Sequence, residues 1–259
     1  MAGPTPELKS NELGKRVKMI ASSYADTGIL NEIAWQGAFR DSLALEGTPS
    51  EPGALIARGV LLGLKQDNEG VDLSFDKYAT RYGIDWGWHA CRASLALFLG
   101  RPEFVVDLIE FGVPEGDIDA CLGAYSYASQ AGFMISASEY IAKLRVMKSE
   151  VFNTPRAEFM DEVVIASEYL RTHGINERDL ADRIAAGWKV ASRESNVTVL
   201  GNVDLSANEE GISFNFCLRA DVDRCLAIQQ LMDEALINNF DDPMFEHLSV
   251  GVFPADMGR

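Results

Sequence analysis

Gly83-Ile84-Asp85-Trp86-Gly87-Trp88-His89-Ala90-Cys91 is one of three stretches that share a spacing, and the reading of the fold starts from it. Gly112-Val113 is followed by Ala120-Cys121, and Gly174-Ile175 by Ala181-Asp182, again with alanine about two helical turns after the glycine. The starts lie 29 and 62 residues apart. That suggests a unit of about thirty residues, the length of two short helices and their turns. Glycine ends a helix in left-handed backbone without strain, and alanine lets neighbouring helices approach. The spacing therefore predicts antiparallel helical hairpins stacked side by side, either a true repeat or an irregular bundle. Ala137-Ser138-Glu139-Tyr140 and Ala166-Ser167-Glu168-Tyr169, also 29 residues apart, echo the pattern.

Working outward, residues 11 to 195 read as helix almost throughout, in roughly ten segments. Near Leu30, the residues Ile33, Ala34 and Gly37 continue an apolar stripe at helical spacing, and Thr48-Pro49-Ser50-Glu51-Pro52 then breaks the chain. Phe104, Val105, Leu108 and Ile109 mark a buried face, and Leu180, Ile184, Trp188 and Ala191 mark another. Thr154-Pro155 and Asn176 read as helix starts. The first ten residues, with Pro4 and Pro6, read as a frayed tail. Arg101 to Gly112 is similar to the second helix of an ankyrin-type repeat, although that family's tight β-turn and Thr-Pro-Leu-His signature are missing.

After Ser195 the pattern changes period. Residues 197–205 and 211–220 are rich in β-branched and aromatic residues, and Ile212, Phe214, Phe216 and Leu218 alternate with small or polar partners. Ala207 to Gly211 reads as the turn between two strands, Asp221 as the cap of a helix, and Leu248 to Phe253 as a last strand. The expected architecture is mainly α, a helical hairpin or bundle domain over 11–195, followed by a ββαβ unit over 196–259 that packs on it. One face of the sheet lies under its own helix, and the preceding helices are expected to cover the other.

The 259 residues carry a net charge of −16. Such a balance disfavours direct contact with nucleic acid or anionic membranes, where basic patches supply the affinity. From residue 201 onward, three arginines stand against eleven acids, a balance of −8. A negative field of that kind favours a basic protein partner. No apolar run approaches the ~18 residues of a membrane span, and the start lacks a signal peptide's apolar region, so a cytoplasmic location is expected. Cys91, Cys121, Cys217 and Cys225 form no CxxC pair, which leaves reduced thiols as the expectation.

The densest cluster of unusual side chains is 85–91. Trp86, Trp88 and His89 there form either an aromatic-walled recognition site, if exposed, or the anchor of a helix start. His89 and Cys91 lie two apart on a helix and point in different directions, so the histidine is poorly placed to activate the thiol. Asp221-Val222-Asp223 has the form of a DxD motif but sits where acids cap a helix. Asp241, Asp242 and Glu246, near His247, form an acidic loop that could attract a cation or a basic partner. Paired-histidine metal spacings, a G-x-S-x-G elbow, a Walker lysine loop and a GxGxxG fingerprint are all missing, so neither a metal nor a cofactor is expected. The leading expectation is a non-enzymatic binding protein, an inhibitor, immunity factor or adaptor with an acidic docking surface. The alternative is an enzyme of uncommon design, with Asp or Glu and His89 or His173 in a cleft between helices and sheet. Self-association through the sheet is a further option.

Overall fold

The computed structural model describes residues 6–154, 156–194 and 198–254. Twelve α-helices and three strands run through them. In order they are α1 (Pro6–Thr27), α2 (Glu32–Ala44), α3 (Glu51–Gly63), α4 (Asn68–Tyr82), α5 (Trp86–Ala93), α6 (Ala96–Leu99) and α7 (Glu103–Phe111). Then follow α8 (Ile118–Gln130), α9 (Met134–Val146), a 3₁₀ turn (Glu150–Asn153), α10 (Arg156–His173) and α11 (Glu177–Arg193). The chain ends in β1 (Thr198–Asn208), β2 (Gly211–Arg219), α12 (Val222–Asn239) and β3 (Leu248–Pro254). The fold is mainly α with a small C-terminal α+β unit, as the sequence predicts.

The recurring glycines explain how the helices are joined. Gly83, Gly112 and Gly174 all have positive φ, each at a helix end, and each is soon followed by an acid or asparagine that caps the next helix. Asp85 accepts the Trp88 N–H at 2.8 Å, Asp117 the Ala120 N–H at 2.9 Å and Asn176 the Arg178 N–H at 2.9 Å. Gly28 with Asn31, whose side chain accepts the Ala34 N–H at 3.0 Å, makes the same corner without the later alanine at the expected distance. What recurs is thus a corner, a positive-φ glycine and an Asx cap, rather than a whole thirty-residue unit: α5, α6 and α7 fill one interval, and α8, α9, the 3₁₀ turn and α10 the next.

Two local expectations change. The N-terminal helix already begins at Pro6, because proline in a first turn lacks only an N–H that has no partner there anyway. Around the start of α2 the expected stripe holds at Leu30 and Ala34, which pack on the smaller core, but not at Ile33. Ile33 is 85% exposed, while Ala38 and Ser42 are buried and the indole of Trp35 donates to the Leu61 carbonyl at 2.7 Å. Of Thr154-Pro155, Pro155 lies outside the described residues, and the Thr154 hydroxyl donates back to Val151 O at 2.6 Å.

One large core runs from α3 through the helices into the sheet, and a smaller one joins α1, α2 and α3. A chain of rings spans it: Tyr24 meets Phe98 at 5.5 Å, Phe98 meets Trp188 at 5.9 Å, and Trp188 meets Phe216 at 5.5 Å. The Trp188 indole N–H is satisfied by the Phe98 carbonyl at 2.9 Å, as a buried indole requires.

The sheet order is β1-β2-β3, with β1 and β2 antiparallel and β2 and β3 parallel across the α12 crossover. Ile212, Phe214, Phe216 and Leu218 are buried, as their alternation predicts. At Gly187 of α11 an added Cβ would stand 2.8 Å from Val250, 3.0 Å from Met232 and 3.6 Å from Phe216, so α11 and α12 press on the same apolar face. This corrects the expectation that the preceding helices cover the opposite face. That face carries Asp204, Ser206, Ser213, Asn215, Cys217, Ser249 and Phe253, all exposed or half-buried.

Gln229 of α12 closes the outer edge of β3. The bond from Ile212 N to His247 O turns the odd-numbered residues of β3 toward β2, so Val250 and Val252 present their backbone groups outward. The Gln229 amide donates to Val250 O at 2.9 Å and accepts from Val252 N at 3.2 Å. Its carboxamide thus pairs with the strand as a further strand's peptide group would.

Candidate functional site

The 85–91 cluster is built inward. Trp88 and His89 are buried, Trp86 is half-buried, and the Trp88 indole N–H donates to Phe75 O at 2.9 Å. The Arg92 guanidinium lies 4.2 Å over the Trp88 ring and pairs with Asp107 at 2.9 Å. Asp85 both caps α5 and accepts the Tyr78 hydroxyl at 2.7 Å. His89 packs 4.4 Å from the Phe111 ring, and its Nδ1 is buried with no hydrogen-bond partner. Burial holds its pKa below the ordinary histidine value; Asp107 and Asp85 oppose this and Arg92 adds to it. The Cys91 thiol is pushed up to about 11 by burial, with Asp85 adding, so thiolate is scarce at neutral pH. Trp88 and His89 thus pack the start of α5 against Phe75 of α4 and Phe111 of α7, and this cluster anchors α5.

The other two histidines meet where α10 faces the loop before β3, a meeting that sequence distance conceals. The Tyr169 ring stacks 4.0 Å from His173, and its hydroxyl lies 2.8 Å from His247 Nδ1. His173 Nδ1 bonds the Tyr169 carbonyl at 2.9 Å, and the two imidazoles are 5.5 Å apart. His173 is thus engaged with an aromatic ring and a backbone carbonyl. Among the described residues, no three or more His, Cys, Asp and Glu side chains gather as metal ligands would.

Asp241, Asp242 and Glu246 lie on the loop between α12 and β3, and all three are exposed. Arg183 of α11 anchors that loop: its Nε and Nη2 both donate to the Asp242 carbonyl, the former at 3.2 Å, and its guanidinium sits 4.5 Å over Phe240. The Asp242 carboxylate accepts Met244 N at 2.8 Å, and Met244 O in turn accepts the amides of His247 and Leu248, both at 2.8 Å. Asp242 therefore shapes the turn. Asp241 and Glu246 face solvent on either side of it, beside Phe245, which is 51% exposed.

A second apolar row on α12 is the feature that sequence reading missed. Cys225, Ile228, Met232 and Leu236 point into the core, as the periodicity predicts. Val222, Leu226 and Ile237 are 47%, 58% and 58% exposed, and with Asp233 they fall at i, i+4, i+11 and i+15, one line along the helix. Asp223 and Glu234 flank the line. Asp221 caps the helix by accepting Arg224 N at 2.8 Å, so the DxD pair is a helix start. Three exposed apolar side chains thus lie along one side of α12, with Asp233 between the second and the third.

Two clefts of about 520 and 530 Å³ lie away from all these residues except near the end of α12. Compared with protein-family models, curated proteins and solved structures, the chain matches none. Its function is therefore read from its own surfaces.

Proposed function

We propose that this protein is a non-enzymatic binding protein whose C-terminal unit docks a basic, amphipathic segment of a partner protein on the outward face of α12. The observation that carries this reading is the row of Val222, Leu226 and Ile237, exposed on a helix whose opposite face is fully used, with Asp223, Asp233 and Glu234 beside it. The chain continues from Ile237 into the loop that presents Asp241, Phe245 and Glu246, an apolar side chain again set among acids. A helix with a lysine- or arginine-rich flank and an apolar seam is complementary to both features.

Covering half-exposed Leu226 and Ile237 contributes about 1 kcal/mol each, since complete burial of such side chains is worth ~1.5–3 kcal/mol. Each exposed ion pair adds ~0–1 kcal/mol and loses most of it in salt. The test is fluorescence anisotropy with a labelled Leu/Lys amphipathic helical peptide against the protein and its L226S/I237S variant. The expected result is about 30-fold weaker binding to the variant, the equivalent of ~2 kcal/mol. Equal affinity for both proteins would mean that attraction to a −16 chain explains everything, and would remove the docking face.

A further inference from the structure

The second cleft, of about 530 Å³, opens along α11 where it meets the start of α7 and the end of α12. Much of its lining is small or apolar, with Ala186, Val190, Ala235 and Phe240 among it. Arg178, Lys189 and Arg193 line it too, and residues 178, 182, 186, 189 and 193 share one face of α11. Both carboxylates of the lining are already engaged. Asp182 takes Arg178 Nε at 3.1 Å, and Glu103 takes Arg101 Nε at 2.7 Å. Lys189 and Arg193 have no ion-pair partner among the described residues. Lys189 and Arg193 are both exposed, and the Lys189 stem lies against Gly100, where an added Cβ would come within 2.8 Å of its Cε, which places its ammonium at the rim of the cleft.

The first cleft is similar in size and differs in chemistry. Its cations are all paired: Arg58 with Glu46 at 3.3 Å, Lys77 with Glu46, and Arg81 with Glu51. Only the second cleft sets two neighbouring, unpaired cations beside an apolar hollow, in a chain with a large excess of acids. Its volume falls in the ~300–1,000 Å³ range of small-molecule sites, where a few polar groups orient a ligand in a mostly apolar lining.

We propose that this cleft binds a small amphiphilic anion, its head group between Lys189 and Arg193 and its apolar body against Ala186, Val190 and Phe240. A carboxylate, sulfonate or phosphate ester meets the requirement; a bare inorganic anion does not, because it leaves the apolar lining wet. The site is independent of the α12 docking face.

The experiment is a fluorescence titration with anilinonaphthalenesulfonate, an apolar ring system carrying one anionic head. Saturable binding is expected, at least tenfold weaker in K189E/R193E and unchanged within twofold in R219E, which reverses a cation on β2. Thermal melts by circular dichroism accompany each variant; if the reversals disturb folding, K189Q/R193Q replaces them, with at least a fivefold loss expected. Octanoate should displace the probe, and inorganic phosphate at the same concentration should not. The proposal is overturned if the titration does not saturate, if the cleft variants bind as the parent does, if phosphate competes as well as octanoate, or if L226S/I237S releases the probe in their place.

Discussion

Replacing Gln229 by leucine removes the side chain that closes the β3 edge while keeping its bulk. The two hydrogen bonds to the strand are lost, 2.9 Å to Val250 O and 3.2 Å from Val252 N, along with the 2.8 Å bond to the half-buried Asp233 carboxylate, where water substitutes for the amide. Each strand bond is worth ~0.5–1.5 kcal/mol, and the first belongs at the upper end because Val250 is buried and water replaces the amide poorly. A loss of about 1–3 kcal/mol corresponds to a fall in melting midpoint of roughly 2–12 °C for a chain of this size. Two backbone groups also become available on an edge strand, which invites pairing between copies. Differential scanning calorimetry measures the first effect, and light scattering across a concentration series measures the second. Gln229→Glu should be worse than the leucine variant, because a carboxylate would face both the Val250 carbonyl and Asp233, which now accepts the Gln229 amide at 2.8 Å. Were Gln229→Leu to melt within about 1 °C of the parent and stay equally monodisperse, the amide would not be holding the edge.

Other consequences follow from the same packing. Gly187→Ala gains ~1 kcal/mol of helix propensity but drives a methyl into Val250 and Met232, where overpacking costs ~1–3 kcal/mol, so chemical denaturation should show a net loss; stabilisation would mean that the α11–sheet contact yields easily. His89→Phe removes a buried, unpartnered Nδ1 and a pH liability. Because burial lowers the folded-state pKa, the unfolded chain takes up the proton first, so the stability tied to neutral His89 is complete above the ordinary value of 6.5 and is lost as pH falls toward the folded value. The variant should match or exceed the parent at neutral pH and gain on it under mildly acidic conditions; parallel stability–pH curves would contradict this. The Cys91 thiol, pushed up to about 11, should resist iodoacetamide at mildly alkaline pH until the protein is denatured, as mass spectrometry of the labelled peptide would show.

The strand–strand–helix–strand end is legible in the sequence because Ile212 to Leu218 alternate at period two and Asp221 marks the next helix start. The helix corners are legible because glycine with an Asx cap is a local device, settled within a few residues. What escaped was set by distant contacts. The Gln229 bond to Val250 joins residues 21 apart, and no local pattern distinguishes an amide that closes a sheet edge from one in water. The meeting of Tyr169 with His247 spans 78 residues. That α11 approaches the apolar face of the sheet closely at Gly187 is a distant contact too, and this glycine reads in sequence as a mere weakness in a helix. Trp88 and His89 look like site residues because they are rare and clustered; their burial follows from the anchoring of α5 against Phe75, which lies on α4. The exposed apolar side chains Val222, Leu226 and Ile237 of α12 were masked by the stronger inward row through Ile228 and Met232.

The most direct measurement of the docking proposal is a charge swap on α12. Two labelled amphipathic helical peptides with the same apolar seam, one flanked by lysines and one by glutamates, are titrated by anisotropy into the parent and into D223K/D233K/E234K. Preference for the lysine peptide in the parent and a reversed preference in the variant, with both lost on further introducing L226S/I237S, is the expected result. Unchanged peptide preference in the variant, or retention of binding after the apolar row is removed, would contradict a docking face on α12.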